Sequence, residues 1–144
     1  MIGMILCGHG KFASGMYKAV QLIGGSQEGL VAIDFTSECS EHDLQVKLTE
    51  GLQQLKDYQN VVICTDLLGG SPFKNAVTLT LGQEDKRVIY GSNLSLILEM
   101  AITRNSVENF ADWVNQCVEA SRESLGVFTM PVLNTNDVSP EDGI

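Results

Sequence analysis

The sequence predicts an α/β fold: a single domain with a mainly parallel four-stranded sheet and helices on both faces. Three observations carry this. Short apolar runs alternate with segments of helical periodicity along the chain. One run, Val61-Val62-Ile63-Cys64-Thr65, is apolar along its length, as a strand covered on both faces is. Glycine-bearing turns follow the first, third and fourth runs, at Gly8-His9-Gly10, Gly69-Gly70 and Gly91-Ser92-Asn93. In a parallel sheet these turns share the carboxyl edge, where sites form.

The elements follow in order. Residues 2–7 read as the first strand and 12–24 as the first helix, with Met16, Ala19, Val20 and Ile23 on one face. Gly24-Gly25 ends that helix. Leu30 to Phe35 is the second strand. Ser40 to about Lys56 is the second helix, with Ser40 as N-cap and Asp43 in the capping-box position. Leu44, Leu48, Leu52 and Leu55 form its apolar face. Val61 to Thr65 is the third strand and Ser71 to Leu81 the third helix. Arg87 to Gly91 is the fourth strand. Asn93 caps the fourth helix, where Leu94, Ile97, Leu98 and Ala101 repeat at helical spacing. Val107 to Leu125 is the fifth helix, bearing Phe110, Trp113, Val114 and Cys117. Val127 to Val132 is a candidate fifth strand, and its Pro131 suits an edge. The last dozen residues are polar and expected to be mobile. Crossovers are expected to be right-handed.

Composition narrows the function. The net charge of −9 disfavours nucleic acid and anionic membrane as partners. No apolar run approaches the roughly 20 residues of a membrane span, and the N-terminus makes a poor signal peptide. Cys7, Cys39, Cys64 and Cys117 show no C-x-x-C spacing, so all four read as reduced thiols of a cytosolic protein, with metal binding the weaker alternative. The acids are unevenly spread. Residues 1–27 contain none but carry Lys11 and Lys18; residues 67–83 contain none but carry Lys74. The two glycine-rich loops thus lie in locally basic or neutral sequence, where an anion meets no like charge.

The chemistry centres on His9, between two glycines at a strand-to-helix turn, and on Thr65 to Phe73. Ser71 before Pro72 reads as an N-cap followed by proline at the first helical position. The free amides of such a helix start attract an anion, and Gly69 and Gly70 let the backbone approach it. Asp66 is placed to hydrogen-bond one ring nitrogen of His9, fix its tautomer and leave the other nitrogen as a nucleophile toward a phosphoryl donor.

Two rival readings use the same residues. Gly8-x-Gly10-x-x-Ala13 after a strand matches a dinucleotide-binding fingerprint, with Asp34 near the place of a ribose-binding acid. That reading leaves Thr65 to Phe73 unexplained, and Asp34 reads better as a strand-end hydrogen-bonding residue. A Ser-His-Asp hydrolase would use Ser71, His9 and Asp66, yet the G-x-S-x-G elbow is missing. His42, flanked by Glu41 and Asp43, reads as a solvated surface histidine.

His9 to Gly15, Asp66 to Phe73, and Gly91-Ser92-Asn93-Leu94-Ser95-Leu96-Ile97-Leu98-Glu99 resemble, in order and spacing, the EIIA component of the mannose-family sugar phosphotransferase system. The likeness covers residues 1–125, which it implies form the phosphocarrier domain; 126–144 would be a C-terminal strand and tail. The resemblance implies a phosphohistidine at His9, with Asp66 and Ser71 as its neighbours and Gly10, Gly69 and Gly70 around the phosphate. It implies phosphate arriving from the phosphocarrier protein HPr and leaving to an EIIB component, then to sugar entering through membrane components EIIC and EIID. It implies a cytoplasmic phosphotransferase, no metal or other cofactor, and a homodimer exchanging C-terminal strands, for which Val127 to Val132 is the candidate. Family members often read Asn-Leu-Pro where this chain has Asn93-Leu94-Ser95. A module that keeps the fold without transferring phosphate is disfavoured by the presence of His9, Asp66 and Ser71 together. Mannose, fructose, sorbose and amino-sugar systems all stay open, with a lean to the N-acetylgalactosamine type.

Overall fold

The computed structural model describes residues 1–132. Four strands, β1 (Ile2–His9), β2 (Leu30–Phe35), β3 (Asn60–Thr65) and β4 (Lys86–Ile89), form one sheet in the order β2-β1-β3-β4. All three pairings are parallel. Between and after them lie α1 (Phe12–Gly24), α2 (Glu41–Gln54), α3 (Ser71–Thr80), α4 (Leu94–Thr103) and α5 (Phe110–Arg122), with a 3₁₀ turn over Arg104–Ser106.

Alternation along the central strands divides the core. Ile2, Met4 and Leu6 of β1, with Val62 and Cys64 of β3, face a layer built from α1, α4 and α5. Ile5 and Cys7, with Val61 and Ile63, face α2 and α3. Both central strands are therefore apolar on both sides, which is why they read as continuous hydrophobic runs. Burial pushes the Cys64 thiol up to about 12, so it stays neutral. The four cysteines are free thiols.

Several boundaries differ from expectation for identifiable reasons. β1 runs two residues further, to His9, because that residue still pairs with Phe35 on the neighbouring strand. β4 stops at Ile89, since Gly91 adopts φ +67° and donates its amide to the Asp66 carbonyl (3.1 Å) instead of continuing the ladder. α5 starts at Phe110, where Asn109 caps it by accepting from the Asp112 amide (3.0 Å). On α1 the core face is Ala13, Met16, Tyr17 and Val20; Ile23 is exposed. The Ser40 capping box of α2 forms as expected, Ser40 and Asp43 exchanging bonds of 3.1 and 2.9 Å. Asn93 caps α4 by accepting from the Leu96 amide (2.9 Å), so Ser95 leaves the helix start intact.

Arg104 is buried, with no local sequence pattern that marks it. Its guanidinium donates to the carbonyls of Ile2 (3.0 Å), Gly29 (3.2 Å) and Glu28, and through Nε to Ala101 (3.4 Å). It ties α4 to the amino end of the sheet, far along β1 from His9. At the other terminus, Val127 to Val132 pairs with no strand among the described residues, and Val127, Phe128, Met130 and Val132 are exposed. The rest of the tail expected to be mobile lies outside the described residues. Among the described residues no helix is long and apolar enough to cross a membrane.

Candidate functional site

The strand order locates the site. From β1 the chain crosses to β2 on one side, and β3 returns to pair on the other, so the order reverses between β1 and β3. Crevices open at such switch points, beyond the carboxyl ends of the strands. Cys7 and Thr65 are register partners on these two strands. His9 follows two residues after one, and Asp66 one residue after the other.

Asp66 grips His9 at two points. Its Oδ2 accepts from the His9 backbone amide (2.8 Å) and lies 2.8 Å from ring Nδ1. Its Oδ1 accepts from the Leu67 amide (2.8 Å). Burial pushes the Asp66 carboxyl up, but these hydrogen bonds from His9 and Leu67 outweigh it and leave it below its ordinary value. An ionised carboxylate only accepts, so in the neutral ring Nδ1 carries the proton and Nε2 presents its lone pair. The ring's side chain is 45% exposed against 17% for Asp66. The half-buried Asp66 holds Nδ1, and the Nε2 side of the more exposed ring has no hydrogen-bond partner among the described residues.

Packing fixes the ring plane. Phe35 meets it edge-on, 5.8 Å between centroids. Gly70 also lies against the ring: a Cβ there would stand 2.7 Å from Cε1 and 3.5 Å from Nε2. Any side chain at residue 70 would displace the imidazole. Gly69 holds φ +78°, which brings the loop back toward the ring. Gly10, at φ +59°, turns the chain out of β1 and donates to the Phe35 carbonyl (2.8 Å). The third block props the site from below: Ser92 donates its amide to Thr65 (3.0 Å), as Gly91 does to Asp66, and the Thr65 hydroxyl donates to Ile89 (2.7 Å).

The start of α3 faces this ring, but not as expected. Gly70 is the N-cap, Ser71 the first helical residue and Pro72 the second. Ser71 does not cap the helix; its hydroxyl donates to Glu41 Oε1 at the start of α2. Glu41 Oε2 accepts from Asn75 Nδ2 (2.7 Å), and Asn75 also donates back to the Ser71 carbonyl (2.9 Å). The first turn of α3 has neither a side-chain cap nor an acid of its own, so its amides stay available to an anion. Glu41 and Asn75 are the members that sequence reasoning missed. Glu41 comes from an element remote in sequence. Asn75, a mid-helix asparagine, was the one legible signal.

The same geometry tests the rival readings. Ser71 bonds Glu41 rather than His9, so no Ser-His-Asp relay is assembled. Over Gly8, where a dinucleotide needs an open backbone, the Phe12 ring fills the space: a Cβ on Gly8 would come within 2.4 Å of it. Asp34 accepts from the Ser14 amide (2.9 Å) and serves as a strand-end hydrogen-bonding residue. His42 is exposed, and its side chain makes no hydrogen bond to the described residues. The Cys7 thiol, pushed up to about 12 by burial and by Asp66, Asp34 and Cys39, is no rival nucleophile beside His9.

Comparison with known proteins is decisive on family. The family model described as PTS system fructose IIA component (EIIA-man) matches residues 3–118. The chain belongs to the mannose-type EIIA family. The sorbose-specific EIIA component of Lacticaseibacillus casei is 30% identical over 72% of this chain and 75% of that protein. The mannose-specific EIIAB component of Escherichia coli K12 is 29% identical over 86% of this chain, which spans 38% of that longer protein. The EIIA structure from Streptococcus agalactiae superposes with TM-score 0.79 at 32% identity, covering 88% of this chain and 97% of that one. A mannose/sorbose IIA subunit from Enterococcus faecalis, at 24% identity and TM-score 0.82 over 91% of this chain and 97% of that one, shares the fold. In this EIIA-family chain, His9, Asp66 and Ser71 lie within the matched residues, and Val127 to Val132 lies beyond them.

Proposed function

We propose that this chain is a cytoplasmic phosphocarrier of a sugar phosphotransferase system, accepting a phosphoryl group from HPr on His9 and passing it to an EIIB component. The 2.8 Å contact from Asp66 Oδ2 to His9 Nδ1, with Nε2 left open, carries this reading. Nε2 attacks the phosphorus of the donor's phosphohistidine. The new N–P bond forms as the donor's N–P bond breaks, and the donor imidazole leaves with that electron pair. His9 keeps its Nδ1 proton, so the phosphorylated ring carries imidazolium character, balanced by Asp66. No proton has to move. The free amides at the start of α3, with the positive end of its dipole, take the phosphoryl oxygens; Gly69 lets the loop approach them, while Gly10 and Gly70, whose own amides go to the Phe35 and Leu67 carbonyls, leave the approach unobstructed. Lys11 and Lys74, both exposed, add positive potential. Leu67 and Leu68, 60% and 57% exposed beside Asp66, supply an apolar rim for the partner proteins. Transfer back out to EIIB is the same step reversed, and EIIC and EIID act only downstream of it.

The relatives named for mannose and sorbose, with the family model named for fructose, support a hexose-type sugar as cargo. We assign residues 1–125 to the phosphocarrier domain and 126–144 to an exchanged strand and tail. The open edge of β4 and the exposed Val127, Phe128, Met130 and Val132 support a homodimer. Removing residues 126–144 is expected to shift sedimentation toward monomer; a full-length chain that is monomeric at micromolar concentration contradicts the dimer.

The relay is tested by loading the chain with labelled phosphate from HPr, removing the donor and adding mannose-family EIIB proteins. Label moving to at least one EIIB is expected. Label retained against all of them would contradict the carrier role.

A further inference from the structure

The charge pattern of the two loops suggests an acid-free site, yet the fold brings Glu41 into it from α2. Ser71 has a single hydroxyl proton, and it is given to Glu41. Glu41 is fixed from its other oxygen by Asn75 (2.7 Å), which is itself tied to the Ser71 carbonyl (2.9 Å). Glu41, Ser71 and Asn75 form a closed set at the helix start, adjoining Gly70, which packs against the His9 ring. In this arrangement the Ser71 hydroxyl has no proton left for a phosphoryl group on His9. Lone pairs repel phosphoryl oxygens; a hydroxyl proton would attract them.

We propose that Glu41 is a positioning residue that competes with the phosphoryl group on His9 for the Ser71 proton and thereby keeps the phosphohistidine ready to leave. This rests on the phosphocarrier reading. When His9 becomes phosphorylated, Ser71 either turns its proton from Glu41 to a phosphoryl oxygen or leaves that oxygen unserved. Either way the phosphorylated state gains no net hydrogen bond from Ser71: it gives up the bond to Glu41 or forgoes the bond to phosphate. No bond of the transfer step changes; the balance between the two states does. The Glu41 carboxyl is held below its ordinary value by its bonds from Ser71 and Asn75, so it accepts the proton as an anion across the neutral range.

Glu41→Gln inverts the arrangement, because its amide can donate to the Ser71 oxygen and release the hydroxyl proton to the phosphoryl group. The measurement is the equilibrium between phospho-HPr and this chain, read by intact mass, for wild type, Glu41→Gln, Ser71→Ala and the double variant, with thermal melts alongside. Glu41→Gln is expected to shift the equilibrium roughly tenfold toward the phosphorylated chain, the scale of one hydrogen bond to a charged group. In the Ser71→Ala background the same substitution is expected to change it less than twofold. An unshifted Glu41→Gln equilibrium overturns the proposal, as does a shift that persists without Ser71, which would make Glu41 a direct repulsive charge. If wild type accepts no phosphate from HPr, the carrier reading itself fails, and this proposal with it.

Discussion

Of the four helices that start at the carboxyl edge of this sheet, α2 and α3 each have a serine that reads as an N-cap, and they start in opposite ways. At α2, Ser40 and Asp43 close on each other in a full capping box, leaving little for a ligand. At α3, Gly70 takes the cap position and offers no side chain, while Ser71 turns away to Glu41. The stabilised start belongs to the structural helix. The uncapped one, with free amides and an intact dipole, lies against the exposed ring of His9. A helix start deprived of its own cap has capacity left for an external anion.

The largest expected effect separates orientation from fold. Asp66→Asn keeps the side chain's shape but removes the charge that balances the phosphorylated ring. Transfer from phospho-HPr should slow by roughly 10²–10⁴, the range of positioned acid–base groups, with the far-ultraviolet circular dichroism unchanged. Rates within twofold of wild type would remove Asp66 from the mechanism.

Next comes the close approach at the open helix start. In Gly70→Ala the new Cβ meets His9 Cε1 at 2.7 Å unless the ring moves. A displacement on that scale is expected to slow transfer by up to about 10²-fold. At the closed start, Ser40→Ala is expected to cost about 1 kcal/mol, visible as a drop of a few degrees in Tm, and to leave transfer unchanged. The reverse pattern, Ser40→Ala crippling transfer and Gly70→Ala harmless, would exchange the roles of the two helices.

The smallest effect is on pH. Because the folded-state value of Asp66 is depressed, its contribution to stability is complete above its ordinary value near 3.8 and is lost as pH falls from there through the lowered value. Asp66→Asn should therefore flatten that acid limb of an equilibrium unfolding profile. An identical limb in both proteins would show that the His9 contact does not hold the carboxyl down.

The sheet was legible because its central strands are apolar on both faces, and His9 and Asp66 because glycines mark both turns. The capping box of α2 was legible because all its members lie within four residues. Glu41 was not, since its two partners are contributed by α3, and pairings across remote elements leave no local pattern. Arg104 was missed for the same reason: its carbonyl partners at Ile2, Glu28 and Gly29 come from the far end of the chain. Ser71 was misread as a cap because Ser-Pro is a good helix-start signature in either register, and only the backbone shows that Gly70 occupies the cap position.

The phosphocarrier mechanism stands or falls on which histidine is phosphorylated. The measurement is intact mass after incubation with phosphoenolpyruvate, EI and HPr, for wild type, His9→Ala and His42→Ala, before and after mild acid. One acid-labile phosphate on wild type and on His42→Ala, and none on His9→Ala, is the predicted result. Phosphate persisting on His9→Ala, or surviving acid as a phosphoserine at Ser71 would, contradicts it.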